Sequence, residues 1–358
     1  MIPRSHSTPH VTASPSLHER AAALLDRIGA LRAVLQVRRL VPVPVISIVT
    51  FHRIAEVSDD DPYDPDVVDA TPAQFRRHLE TLARIGTPIS METLLRALDG
   101  AALPPNPIMV TFDDGYRSCR EVALPILRQV GVPATFFIAT AFATARKLYW
   151  WEQISAIVHQ ARGRVAMLAY PRPMRVDTGA PDARRLLDNT IKNTAGLDLE
   201  RFLRELRAAL HVGWSPEIEA EQAARLIMTW ADVRALADAG MDIESHTQHH
   251  RVLETLDHDD LREELVGSRR DLELQLGRPV RALAYPVGRR PPLEVRRAVA
   301  AAGYKVGLTN VGGVNVVWPA ALHPVLPLDR FDLRRAPTER AMSDAMFLTQ
   351  IAIPSLAV

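Results

Sequence analysis

The stretch Thr111-Phe112-Asp113-Asp114-Gly115-Tyr116 sets two adjacent carboxylates at the end of the apolar run Ile108-Met109-Val110 and just ahead of a glycine. A strand ending in this way leaves its terminal acids in the open, and the glycine permits a sharp turn after them. Two carboxylates this close seldom both ionise without a cation, so the pair points to a metal. The remaining ligands should be imidazoles or carboxylates, and Ser245-His246-Thr247-Gln248-His249-His250 offers them. The four-residue spacing of His246 and His250 predicts a helical turn with both rings on one side and His249 turned away. One Asp and two His, with positions left for water, form the donor set of a catalytic zinc or a similar divalent ion. Alone, the acidic pair reads as a solvated turn and the histidines as polar surface. Together they gain weight, because each follows a short strand-like run, 108–112 and 241–245, and strand ends are where barrel-like α/β folds build chemistry.

With these residues the chain resembles the polysaccharide deacetylases, which carry a NodB homology domain and are also called carbohydrate esterase family four. The family's motif T-F-D-D-G stands here as Thr111 to Gly115, and its H-[S/T]-x-x-H as His246 to His250. The third motif is similar to Ala282-Leu283-Ala284-Tyr285-Pro286-Val287-Gly288, without the arginine that many relatives carry where this chain has Ala284. Phe51-His52-Arg53-Ile54 and Tyr149-Trp150-Trp151-Glu152 are similar to the deacetylases of bacterial exopolysaccharide loci. The resemblance covers roughly residues 45 to 335. It implies that Asp113 is the general base and that Asp114, His246 and His250 hold the metal, zinc first with cobalt or nickel as alternatives. It implies further that the oxyanion is met at the third motif, Tyr285-Pro286-Val287. Of these, Val287 is the expected donor, since Pro286 has no N–H. The family's late L-x-H motif, which supplies the acid for the leaving amine, is not matched. His323 in Ala321-Leu322-His323-Pro324 is one tentative candidate for a site role and His52, behind the run Val45–Val49, is another.

The implied function is removal of N-acetyl groups from amino sugars of a bacterial exopolysaccharide or its lipid-linked precursor. The partner is then an N-acetylated oligo- or polysaccharide. Two alternatives stand beside it: a metal-dependent amidase acting on a small non-carbohydrate amide, and a sugar-binding relative without turnover. A small closed pocket with arginine would favour the first, and metal-dependent sugar binding without acetate release the second.

Alternating strand and helix signals must position these residues. Thr71-Pro72 opens a helix, Thr229 to Asp232 reads as a capping box, and Gly131, Gly240 and Gly277 close helices. This βαβα order predicts parallel strands wrapped by helices. The family's fold is such a barrel, distorted and with fewer than eight repeats. The expected organisation is an N-terminal extension at 1–44, a barrel at 45–335 and a C-terminal tail at 336–358. A helical insertion is expected at about 141–228, because 115–245 is longer than two barrel repeats need. Tyr149-Trp150-Trp151 at its start either stacks on sugar rings or anchors the insertion.

Forty-three basic and 42 acidic side chains leave a net charge of +1. No global field therefore selects a polyanion, and nucleic acid is not an expected partner. A single cysteine, Cys119, allows no internal disulfide. Residues 1–17 lack the continuous apolar core of a signal peptide and read as disordered. Residues 17–40 read as one amphipathic helix with a basic excess, which either packs on the domain or lies on an anionic membrane surface. The expected location is cytoplasmic, with peripheral contact at the inner membrane face through 17–40.

Overall fold

The computed structural model describes residues 16–40, 45–58, 60–288, 290–313, 315–316 and 332–353. Parallel strands run side by side in the order Val45–Phe51, Pro107–Phe112, Ala134–Ile138, Asp242–Ser245, Ala282–Ala284 and Val306–Thr309. Asp332–Arg334 then pairs with Val306–Thr309, while Ala336–Pro337, two residues on, pairs with Val45–Phe51. One segment thus joins the last strand to the first, and the sheet is a distorted (β/α) barrel with fewer than eight repeats.

The strand residues alternate between two packing environments, as a pleat requires. On Pro107–Phe112, Ile108, Val110 and Phe112 face the layer of helices, while Met109 belongs to a separate cluster with Ile46, Ile48, Phe137, Ala284 and Leu308. The helix Met91–Leu98 packs against that second cluster at the N-terminal end of the strands, where the Met91 N–H donates to Asp242 Oδ2 at 2.8 Å. The opposite end is left for chemistry. Five of the strands are followed directly by a residue that lines one pocket: His52, Asp113, His246, Tyr285 and Asn310.

Local signals hold in several places. Thr71 and Thr229 form capping boxes with Gln74 and Asp232, and the helix after the first motif ends at Gly131 with φ 77°. The stretch 17–40 differs from its expectation. Gly29, with φ 75°, breaks it into the helices Leu17–Arg27 and Ala30–Leu40, a left-handed step that glycine takes without steric cost. The second helix is tied to the barrel by Arg38, which donates to the carbonyls of Ile351 and Val45. Leu17, Leu24 and Ile28 stay exposed on the first. Of residues 336–358, expected as a tail, 336–353 are described, and they supply a barrel strand and the helix Asp344–Ala352. That helix buries Phe347, Leu348 and Ile351, and Phe347 stacks on His78 with centroids 4.0 Å apart.

The region 141–228 holds the helices Trp150–Gln160, Ala183–Asn193, Leu199–Ala209 and Pro216–Leu226, and a hairpin of Val165–Leu168 with Met174–Asp177. Among the described residues no helix is long and apolar enough to cross a membrane.

Candidate active site

Asp113 and Asp114 leave the strand Pro107–Phe112 in different directions because the backbone turns between them. Asp114 has φ 72° and Gly115 φ 100°, and the Gly115 N–H closes the turn on the Asp113 carbonyl at 2.9 Å. Asp114 therefore faces the histidines. Its Oδ1 lies 3.3 Å from His246 Nε2 and 3.5 Å from His250 Nε2, and it has no hydrogen-bond partner among the described residues. One ligand atom from each of the three side chains falls within 4.8 Å of the others.

The His246–His250 segment is a loop, not the helical turn that the spacing suggests. Thr247 at φ 65° and His250 at φ 53° curl the chain so that the two rings meet with centroids 4.8 Å apart. Glu264 holds the curl by accepting the backbone N–H groups of Gln248 and His249, and it also pairs with the His249 ring, which stays outside the cluster. His246 Nδ1 sits 2.9 Å from the Ala284 carbonyl, to which it donates, and its Nε2 faces Asp114. Burial, then the neighbouring His246, lowers the pKa of His250 to about 3, so that ring is neutral. An orphaned carboxylate oxygen facing two imidazole Nε2 atoms is a set that could hold a divalent cation.

Asp113 meets a different partner. Arg335 donates from both guanidinium nitrogens to its two oxygens, each at 2.7 Å, and both side chains are buried. Burial alone would raise the Asp113 pKa; the arginine overcomes it and holds the carboxyl well below its usual range. Arg335 answers the missing arginine at Ala284, and sequence reasoning did not find it. The available signal was phase: Arg335 falls on the same pleat face as the buried Leu333, an unusual place for a charge unless it has a partner.

His52 follows the first strand and borders the pocket, with Nε2 4.0 Å from Asp113 Oδ2. Its Nδ1 lies 3.0 Å from Asp69 Oδ2, and its backbone N–H donates to the same carboxylate. Burial works against a charged ring here, but Asp69 and then the two catalytic-end aspartates raise its pKa to about 10. His323, the other tentative residue, lies outside the described residues.

In the third motif, Tyr285 spends its N–H on the Leu308 carbonyl and its hydroxyl on Asp332 Oδ1, at 3.0 and 2.7 Å. Gly307 makes room for the ring, since a Cβ there would come within 2.6 Å of it. Val287, at φ 65°, lines the pocket. Of Tyr285, Pro286 and Val287, only Val287 keeps a backbone donor with no acceptor among the described residues.

The Tyr149–Glu152 stretch backs the site from the insertion. Tyr149 donates to the Asp114 carbonyl at 2.8 Å and stacks on Trp151 at 4.6 Å, and Trp151 in turn packs against His250 at 4.6 Å. Glu152, fully buried, accepts from the Tyr116 hydroxyl and the Asp64 N–H, both at 2.7 Å. This is the anchoring role. Trp150 reaches the pocket, but the Lys192 ammonium sits over its ring, 5.7 Å from the centroid. The pocket has a volume of about 200 Å³, and among the described residues no arginine lines it.

Residues 100–165 and 205–307 match the profile of a family described as polysaccharide deacetylase. No curated protein sequence matches the chain. Among solved structures, the Streptococcus pyogenes deacetylase PplD in complex with acetate is similar at a TM-score of 0.55 and 20% identity, over 88% of this chain and 100% of that one. IcaB from Ammonifex degensii is similar at 0.52 and 16%, over 88% and 98%. The BpsB deacetylase domain from Bordetella bronchiseptica is similar at 0.50 and 18%, over 83% and 97%. These identities speak to the fold alone.

Proposed function

We propose that the chain, which matches the polysaccharide deacetylase profile over residues 100–165 and 205–307, is a metal-dependent hydrolase releasing acetate from N-acetylated amino sugars of a bacterial exopolysaccharide or its lipid-linked precursor. One observation carries the reading: Asp114, His246 and His250 converge beside an Asp113 that is clamped by Arg335, at the barrel end where five strands deliver pocket residues. Asp114, His246 and His250 would hold the divalent ion, with zinc preferred by the donor set. When bound, it would lower the pKa of a water and polarise the acetamido carbonyl.

The chain's own residues divide the rest. Asp113, kept ionised by Arg335, takes a proton from the water that adds to the carbonyl. The Val287 N–H meets the oxygen that becomes negative. His52, oriented through Nδ1 by Asp69, gives a proton from Nε2 to the departing nitrogen. Among the described residues no arginine lines the pocket for a compact anionic amide, which favours the sugar reading over the small-amide one. The guanidinium missing from the third motif, which motivated the non-catalytic reading, is provided by Arg335. A peripheral contact with anionic membranes through 17–40 is supported by the exposed Leu17, Leu24 and Ile28 with the exposed Arg20 and Arg27 on the same helix.

The test is acetate release from N-acetylglucosamine oligomers by the zinc- or cobalt-loaded protein. Asp113→Asn should lose about 10²- to 10⁴-fold in kcat while keeping its metal; full activity in that variant would remove Asp113 as the base. His246→Ala should lose the metal, and His249→Ala should keep it.

A further inference from the structure

The pocket has a second wall that the chemistry above leaves idle. It is formed by the helix Ala183–Asn193 of the insertion and by Asp64 and Val67 opposite. Arg184 clamps this helix in place through ion pairs to Asp64 and Asp66, and the Asp64 N–H is held in turn by Glu152. Spaced four and eight residues after Arg184, on the same helix face, Asp188 and Lys192 line the pocket.

Asp188 is 8% exposed, and its Oδ1 has no hydrogen-bond partner among the described residues. A buried acceptor left unpaired is costly, and a native wall that keeps one is built for something that fills it. Lys192 is held over the Trp150 ring, which steadies the ammonium at the pocket side. Asp188 and Lys192 therefore offer one strong acceptor and one strong donor, whose charges cancel. An anionic ligand would face Asp64, Asp113, Asp114 and Asp188 together, and a cationic one would face Lys192. A neutral polyol suits both. Burial raises the pKa of Asp188 to about 6 while Lys192 pulls it down, so the acceptor is a carboxylate at neutral pH. The family match skips 166–204, so this wall lies outside the segments that define the family.

We propose that Asp188 and Lys192 form a pyranose subsite: Asp188 Oδ1 accepts from hydroxyls of the amino sugar, and Lys192 donates to an oxygen of the same or the adjacent ring. The insertion then sets which sugar of the chain faces Asp113. This rests on the deacetylase reading for the identity of the ligand, though not for the contact itself.

The zinc-loaded protein and its Asp188→Asn, Asp188→Ala and Lys192→Met variants are compared on N-acetylglucosamine tetramers. Loss of a charge-assisted hydrogen bond should raise KM about tenfold with kcat within about threefold and metal content unchanged. Calorimetric binding of the same tetramer in the Asp113→Asn background should weaken by the same factor on adding Asp188→Asn. An unchanged KM and affinity, or a fall in kcat with loss of metal, overturns the subsite, as does a failure of the tetramer to bind the Asp113→Asn protein at all. If the protein binds the tetramer through Asp188 but releases no acetate, the subsite stands and the deacetylase reading falls.

Discussion

Arg335 reaches Asp113 across 222 residues of sequence, and both side chains are buried. Removing the arginine would strand a buried carboxylate, so Arg335→Met should destabilise the fold by about 3–5 kcal/mol. Arg335→Lys keeps the charge but loses the two-pronged geometry, and it should lower both kcat and Tm while the metal stoichiometry holds. The pH dependence has a definite sign. Asp113 is depressed in the folded state, so the pair's stabilisation is complete above the unfolded carboxylate value of about 4 and drains away as the solution is acidified toward the folded value. The deficit of Arg335→Lys in Tm should accordingly be largest near neutrality and shrink below pH 4. His52 is tested by substrate choice. His52→Ala should impair the amide of an N-acetylated sugar at least about tenfold more than an aryl acetate, whose leaving group needs no proton; equal losses would point elsewhere for the acid. At this scale the sequence was legible where chemistry is contiguous, as in Asp113-Asp114 and His246 to His250. It was silent on Asp69 and Asp188 and offered only a phase for Arg335, because their partners are neighbours that only the folded chain brings near.

Elements show the same division between local and distant causes. Thr71 and Thr229 announce their helices because a capping hydroxyl acts within three residues. The loop at 246–250 defeated the helical spacing argument because the hydrogen bonds that shape it come from Glu264 on the following helix. The Tyr149–Glu152 stretch opens a helix yet acts as a brace, and Glu152 carries a measurable consequence. Burial raises its pKa to about 8, so the folded state holds a proton that the unfolded state releases near 4. Stability should fall as pH rises from about 4.5 to 8 and level off above, and Glu152→Gln should flatten that slope by one proton's worth in a Tm series. The helix Leu17–Arg27 makes a separate prediction. Vesicles containing phosphatidylglycerol should co-sediment the protein at low salt, and Leu24→Asp with Ile28→Asp should abolish this; binding that survives the double change would refute the membrane contact.

For the molecule as a whole, closure of the barrel depends on a short stretch. Arg335 N–H donates to the Thr309 carbonyl and Thr338 N–H to the Thr50 carbonyl, so residues 335 to 338 stitch the sixth strand to the first. A chain cut after residue 331 keeps all three metal-ligand candidates but should show no deacetylase activity and a broadened thermal transition by calorimetry. Sharp, wild-type-like unfolding of that fragment would mean that the rest of the barrel closes without this stretch. The same few residues seal the barrel and hold the charge of Asp113. If Asp113 is the base, as proposed, a growing polypeptide should stay chemically inert until synthesis has passed Arg335 and the seam has zipped.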